Sequence, residues 1–482
     1  MQMLLKKLSR SLFLLFFGLN LLGQESLPEL GDASSSSISI DQEYKLGKLF
    51  VAQIRGSTPQ YVDPLVLDYT EHLVYRLSEF SQLKDRRFEI ILVDEKTINA
   101  FAAPGGIIGV NSGLFFHAEN EGQLASVLTH ELAHLSQRHY ARRLQRQEDR
   151  SLANALIILA SVALAAASSP EAIIAGTQVL SQQAMSYSRS NEQEADRIGF
   201  LNLVSSGYDP LSTTEFFEKL QQLSRLSGAN ELEFLRSHPL TKKRISDSAS
   251  RATQIKKRQD YKDSLSFHLI REKVSLKFFK NSRQAVSQKR LNFRKSKSLR
   301  DKIINGYGLS LALSEDSKHD EALKLSREIL KLDEENLILQ TNLLEIHLKA
   351  ENGLEALSLG QKLLALNPGN YPISMLYVQA LMNTKEYDEA ELILRGLSQE
   401  RAFDPQIWYW LAEVQGLNKK IIGLHQSRAE YFFLTGRYDS SIEHLNFALE
   451  LSGNNFQLTE MIRNNLERVF LTKEQLKQAS SS

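Results

Sequence analysis

The sequence predicts a mainly α-helical chain: an α+β domain, helical with a small β-sheet, followed by an α-helical solenoid. Three observations carry the prediction. The pentad HisGluLeuAlaHis at 130–134 lies inside a long amphipathic stretch, short β-rich runs surround the turn Pro104-Gly105-Gly106, and a triplet recurs at a constant step in the C-terminal half. At 482 residues the chain exceeds the ~250–300 at which single cores usually stop growing, so more than one domain is expected. A hydrophobic content of 42%, a charged content of 24% and a net charge of +1 are those of ordinary globular protein. They give no global basic bias, and no nucleic-acid partner is expected.

At the N-terminus, Lys6, Lys7 and Arg10 precede an apolar run from Leu12 to Leu22, broken by Gly18 and Asn20, and then Gly23 and a polar segment. That order reads as a cleavable secretory signal peptide over 1–23, since the run is too short for the ~20 residues a bilayer core requires. There is no cysteine, so neither a lipid anchor nor a disulfide holds the exported chain. A bacterial periplasm is the expected compartment. A first domain, carrying the pentad, is expected over 24–260 and the repeat domain over 261–482.

In the first domain a helix is expected from about Asp41, with Tyr44, Leu46, Leu49 and Phe50 as its apolar positions, and a second over Pro64 to Phe80. Arg87 to Asp94 reads as a strand, and a further strand pair surrounds Pro104-Gly105-Gly106. Asn120 to Arg146 reads as one long amphipathic helix, opened by Asn120 with Gln123 three residues on, close to a capping box. Ala153 to Ala167 and Ala172 to Leu180 are nearly all apolar around Ser168-Ser169-Pro170. They are expected as a buried helical hairpin, with peripheral membrane contact as the alternative.

GluAlaLeu at 321–323, GluAlaLeu at 355–357 and GluAlaGlu at 389–391 stand at equal intervals, and Ala312, Ile346 and Ala380 keep the same step. That step is the tetratricopeptide period of about 34 residues, in which a small residue stands where two antiparallel helices cross. A further copy, Tyr431 to Leu451, is displaced by one and a half periods rather than one, which an extra helix around Leu417 to Arg428 would explain. Arg271 to Lys302 holds twelve Lys or Arg and reads as a degenerate first repeat. Its charge is either a solvated face or a docking surface for an acidic partner or anionic lipid head groups.

The chemistry lies in the pentad. On a helix, His130 and His134 stand one turn apart on one face and grip a metal together. With 11 histidines in the chain, chance would supply roughly 0.01–0.02 such matches. A catalytic zinc takes three protein ligands and leaves a fourth place for water. A third histidine in the metzincin pattern is excluded, because position 140 is Tyr140 and position 137 is Gln137 where that pattern wants glycine. AsnGluGlnGluAlaAsp at 191–196, on a helix capped by Ser190 or Asn191, supplies Glu192 as the third ligand. Asp196, one turn on, is expected to accept the free N–H of a ligand histidine, while Glu194 points elsewhere. Glu131 is the expected general base, and the oxyanion donor is to be sought among His139, His238 and Arg244. For His238, in the loop SerHisProLeuThrLysLysArgIle, three readings stay open: a surface histidine, a substrate or oxyanion contact, or a reversible fourth zinc ligand that keeps the enzyme latent.

The segments at 99–114, 120–134 and 191–199 together resemble the gluzincin-type zinc peptidases that include the CAAX prenyl endopeptidases and the bacterial heat-shock membrane protease. With the signal peptide, SerHisPro at 237–239 and the repeats, the chain looks most like a periplasmic branch of that family. The resemblance implies one zinc per chain. It also implies a protease with a chaperone role, acting on unfolded outer-membrane protein precursors stalled at the barrel assembly machinery, which the repeats would engage. It would make 99–114 an active-site edge strand that pairs with substrate.

Overall fold

Ser39 caps the first helix, α1 (Ile40–Ser57), in a reciprocal capping box with Gln42. Leu46, Phe50 and Ile54 follow at one-turn spacing and bury against Ile91, Val93, Phe101 and Ile107 of the sheet. The structure is a computed structural model, and it describes residues 39–146, 187–227, 234–255 and 263–481. The expected signal peptide over 1–23 and the apolar pair within 153–180 lie outside the described residues. Among the described residues, no helix is long and apolar enough to cross a membrane.

Asp63 caps α2 (Pro64–Ser78), accepting from the amides of Leu65 and Val66, with proline at the first helical position. Three wholly buried strands follow, β1 (Glu89–Val93), β2 (Ala100–Ala103) and β3 (Ile107–Asn111). They order β1-β3-β2, with β1 parallel and β2 antiparallel to β3, so β2 is an edge strand. A short α3 (Ser112–His117) leads to α4 (Glu121–Ser136), which packs on β2.

The single long helix expected over Asn120–Arg146 is in fact two. α4 ends at Ser136, Arg138 adopts φ 49°, and α5 (His139–Arg146) sets off in a new direction. Hydrogen bonds from the Arg138 guanidinium to Glu43 of α1 hold this left-handed, non-glycine residue in place. Beyond it come α6 (Arg189–Ser205), α7 (Leu211–Ser227), a one-turn α8 (Phe234–Ser237) and α9 (Lys242–Gln254). The cap of α6 is Ser188, whose side chain accepts from the Asn191 amide, rather than Ser190 or Asn191.

The repeats form paired helices: α10 (Leu265–Ser275) with α11 (Ser282–Arg294), α12 (Leu299–Glu315) with α13 (His319–Leu330), and α14 (Leu337–Lys349) with α15 (Gly353–Leu366). Then come α16 (Tyr371–Asn383) with α17 (Tyr387–Glu400), α18 (Pro405–Leu417) with α19 (Ile421–Leu434), α20 (Tyr438–Leu451) and α21 (Phe456–Ser481). The turns inside four successive pairs carry Ser317, Glu351, Lys385 and Lys419, all at positive φ and each one full repeat from the next. The fourth repeat therefore stays in register and no extra helix is inserted: 417–428 spans the turn at Lys419 and the first half of α19, the second helix of that pair. The basic stretch is helical, with Lys289 buried against Glu272 at 2.6 Å.

The array is tied to the first domain at several points. Lys273 of α10 lies buried between Asp63 (3.3 Å) and Glu345 (2.5 Å), and Arg401 pairs with Glu71 of α2 at 2.7 Å. Further along, Gly56 of α1 meets the Thr435 carbonyl and Gly436 meets the Ala52 carbonyl. A Cβ at either glycine would lie 2.8 or 2.7 Å from those oxygens, so both positions must stay bare. Between array and sheet lies a cavity of about 740 Å³ whose walls include Tyr61, Tyr371, Arg401, Phe403 and Asp404.

Candidate active site

Two helices build the site. Leu124, Val127, Leu128 and Leu132 seat α4 in the main core, and Ala133, Ala195 and Ile198 fill the crossing with α6. At that crossing a Cβ on Gly199 would stand 3.0 Å from the His130 backbone, so glycine lets the helices approach closely. Glu192 thereby reaches the histidines of α4. Its Oε1 lies 3.4 Å from His134 Nε2, its Oε2 3.6 Å from His130 Nε2, and the two Nε2 atoms are 3.1 Å apart. His238, carried by the turn after α8, brings Nδ1 to 2.9 Å from Glu192 Oε1 and 3.3 Å from His130 Nε2. One ligand atom from each of His130, His134, Glu192 and His238 lies within 4.8 Å of the others, and all four residues are buried.

This donor set fits a tetrahedral cation. Two ligands ~2.05 Å from one such ion stand ~3.3 Å apart, close to the separations found here. Glu192 Oε2 and both oxygens of Glu131 are buried without a well-formed hydrogen bond, as expected where a cation and its substrate belong. Glu131 is fully buried and meets His238 Nε2 at 3.4 Å. Burial pushes its carboxyl above the usual range, and the neighbouring His238 and His130 pull part of the way back. Burial disfavours the charged form of His130, yet hydrogen bonds with Asp196 and Glu192 outweigh it and raise its pKa to about 10. Burial prevails at His134 and depresses it, against the hydrogen bond with Glu192. At Glu192 burial is outweighed by the three histidines, which hold the carboxylate ionised. Protons here stand in for the positive charge of a cation.

Behind the ligands lie two supports. Asp196 Oδ1 is 3.1 Å from His130 Nδ1, and Arg244 donates to both Asp196 oxygens at 2.7 and 2.8 Å while lying 2.8 Å from Glu192 Oε2. On the other ring, His139 Nδ1 stands 2.8 Å from His134 Nδ1, and its Nε2 is 3.0 Å from Glu194, which also accepts from Arg142. His139 and Arg244 are therefore not where an oxyanion donor would stand. His139 backs His134, and Arg244 clasps two carboxylates. Glu194 does point away from the four donors, as expected, but it reaches His134 through His139.

A model of peptidase family M48 matches residues 66–252, and one of the tetratricopeptide repeat matches 347–414. The chain is 33% identical over 429 residues to the beta-barrel assembly-enhancing protease of Escherichia coli, covering 88% of this chain and 87% of that one. It is 31% identical to the protein of that name from Yersinia pestis, with 87% and 86% covered. The chain belongs to peptidase family M48. A third relative, the mitochondrial metalloendopeptidase OMA1 of Arabidopsis thaliana, is 32% identical over 164 residues, 34% of this chain and 31% of that one.

Membership of family M48 makes the chain a metalloendopeptidase, as the pentad predicts, and the tetratricopeptide match agrees with the helical array that the period predicts. The sequence reading expected Asp196 beside a histidine of the pentad, where the structure has it, but missed the rest of the surroundings. The support from His139 and Glu194 depends on the break at Arg138, which no glycine or proline announces. Arg244 had a signal, since its place one turn into the helix after SerHisPro aims a cation back at α6. Tyr187 and Phe234, whose rings stack on His238, carried none.

Proposed function

We propose that this protein is a zinc endopeptidase of the bacterial periplasm, acting on unfolded or stalled outer-membrane protein precursors. One zinc per chain is held by His130, His134 and Glu192. The observation that carries the reading is the four-residue donor set, gathered within 4.8 Å at spacings suited to one tetrahedral ion. Zinc bound there supplies Lewis acidity toward a water and the scissile carbonyl. Glu131 takes the proton of the attacking water and returns it to the leaving amine; burial has already made its carboxylate a stronger base. Asp196 fixes His130 with Nδ1 protonated, leaving Nε2 for the metal, and His139 does the same for His134.

An unfolded client suits the surroundings of the site. Edge strand β2 packs on α4, and an extended polypeptide that adds to a sheet edge is read through its backbone rather than by side-chain sequence. The name of the Escherichia coli and Yersinia pestis relatives speaks for barrel assembly, and the cavity between sheet and array gives the repeats a place to hold a chain or an assembly partner. His238 closes the fourth corner and keeps the resting enzyme latent.

The test is cleavage of an unfolded outer-membrane protein by the wild type and by Glu131→Gln. Zinc-dependent cleavage that vanishes in the variant supports the reading. The same cavity favours a second reading, an assembly chaperone or adaptor with a latent metal site. No cleavage by either protein, with client binding intact, would establish that instead. His238→Ala is expected to raise proteolysis; a fall would assign His238 to the oxyanion.

A further inference from the structure

Two aromatic rings stack with His238. Phe234, in the main core and 3% exposed, lies with ring centres 4.7 Å apart and planes 28° apart. Tyr187 lies near-parallel to it as well, at 5.5 Å and 29°, and covers the ring of His134 at 3.9 Å and 25°. The backbone ties the same parts together. The Tyr187 amide donates to the Ser237 carbonyl at 3.4 Å, the His238 amide to the Phe234 carbonyl at 2.9 Å, and the Phe234 amide to the Ile98 carbonyl at 3.2 Å.

We propose that Phe234 and Tyr187 form an aromatic clamp that sets how firmly His238 occupies the fourth corner of the metal site, with Tyr187 as its movable jaw. The proposal rests on the reading of His238 as a latch. Phe234 is anchored in the core and by its amide to the loop before β2, so it cannot follow the histidine outward. Tyr187 is only half-buried and stands just before the Ser188 cap of α6. A polypeptide that displaces Tyr187 uncovers His238 and His134 while the cap keeps α6, and with it Glu192, in place. Removing one stacked partner shifts the closed-to-open equilibrium by about two- to tenfold. Tyr187 is thus a positioning residue. It acts through His238 and coordinates nothing.

The test reads two quantities on the zinc-loaded full chain: zinc loss to an excess of chelator, and cleavage of an unfolded polypeptide with zinc in the buffer. Tyr187→Ala is expected to speed both by about two- to tenfold. Tyr187→Phe, which keeps the stacked ring, should restore the wild-type values, and Tyr187→Ala should add nothing to His238→Ala. Rates unchanged or lowered by Tyr187→Ala, additivity with His238→Ala, or a loss of cleavage in Tyr187→Phe would each overturn the clamp. A misfolded variant would release zinc faster but cleave more slowly, so the rise in cleavage separates an opened latch from misfolding. If His238→Ala speeds neither quantity, the latch falls and the clamp with it. If His238→Ala speeds both and Tyr187→Ala neither, the clamp alone falls.

Discussion

The metal-site helices and the repeat helices are built on opposite terms. In α4 every residue from Glu121 to His134 is buried, including Glu121, His130, Glu131 and His134. Three of those polar groups have a particular answer, Tyr69 and Tyr208 for Glu121, Asp196 for His130 and His139 for His134, while both oxygens of Glu131 are left without one. In α13, by contrast, one face is buried, through Ala322, Leu323, Leu325, Ser326 and Ile329, and the same apolar spacing returns a repeat later. A site answered residue by residue fails in chemistry when one residue changes. An array answered by averaged packing loses stability first.

The sharpest way to break that contrast is Glu131→Gln. Turnover should fall by about 10²–10⁴-fold with bound zinc unchanged, measured as cleavage rate beside metal content. Asp196→Asn should come next. It removes half of the ion pair with Arg244 and the anchor of His130, so zinc affinity measured by chelator competition should fall about 10–100-fold. In the array, Ala380→Leu puts three carbons into a fully buried helix crossing and should cost about 1–3 kcal/mol in urea unfolding, leaving zinc affinity untouched. A drop in zinc affinity there would show the two regions to be one cooperative unit.

The smallest effect expected is acid sensitivity of the array. Burial, reinforced by Arg327, lowers the pKa of His347, and burial with Arg428 lowers those of His425 and His444. The unfolded chain, with its histidines near 6.5, then binds protons that the folded array resists. Stability is full above about pH 6.5 and is lost as pH falls through the lower folded values. Trp408 and Trp410, the only tryptophans of the chain, both lie in α18 and report array unfolding by fluorescence. A urea midpoint that does not fall between about pH 7.5 and about pH 5.5 would remove this difference between the regions.

What could be read in the sequence follows the same division. The constant step between triplets located the helix pairs because each repeat answers the same packing problem, and it erred only at Leu417–Arg428, where a helix half a repeat later mimics an insertion. At the site, the sequence could pair the pentad with Glu192 because a metal demands fixed residue types at helical spacing, and the structure brings His130, His134 and Glu192 together. The break at Arg138 was not, since its left-handed backbone is secured by Glu43, far back along the chain in α1. His139 looked like a donor for the substrate only while the helix was taken as continuous. The cap at Ser188 was missed because three neighbours, Ser188, Ser190 and Asn191, could each cap, and only tertiary packing chooses.

The bare glycine contacts between α1 and the turn at Thr435–Gly436 give the chain a property that neither part has alone. They join a helix at the start of the described fold to a turn near its far end, as a clasp joins the two sides of a bracelet. α1 in turn bears on the sheet whose strand β2 packs on α4. A load hung on the far repeats therefore reaches the sheet along α1 as well as through the ties at Lys273 and Arg401, and an array cut short before that turn would open the bracelet while keeping all four donors.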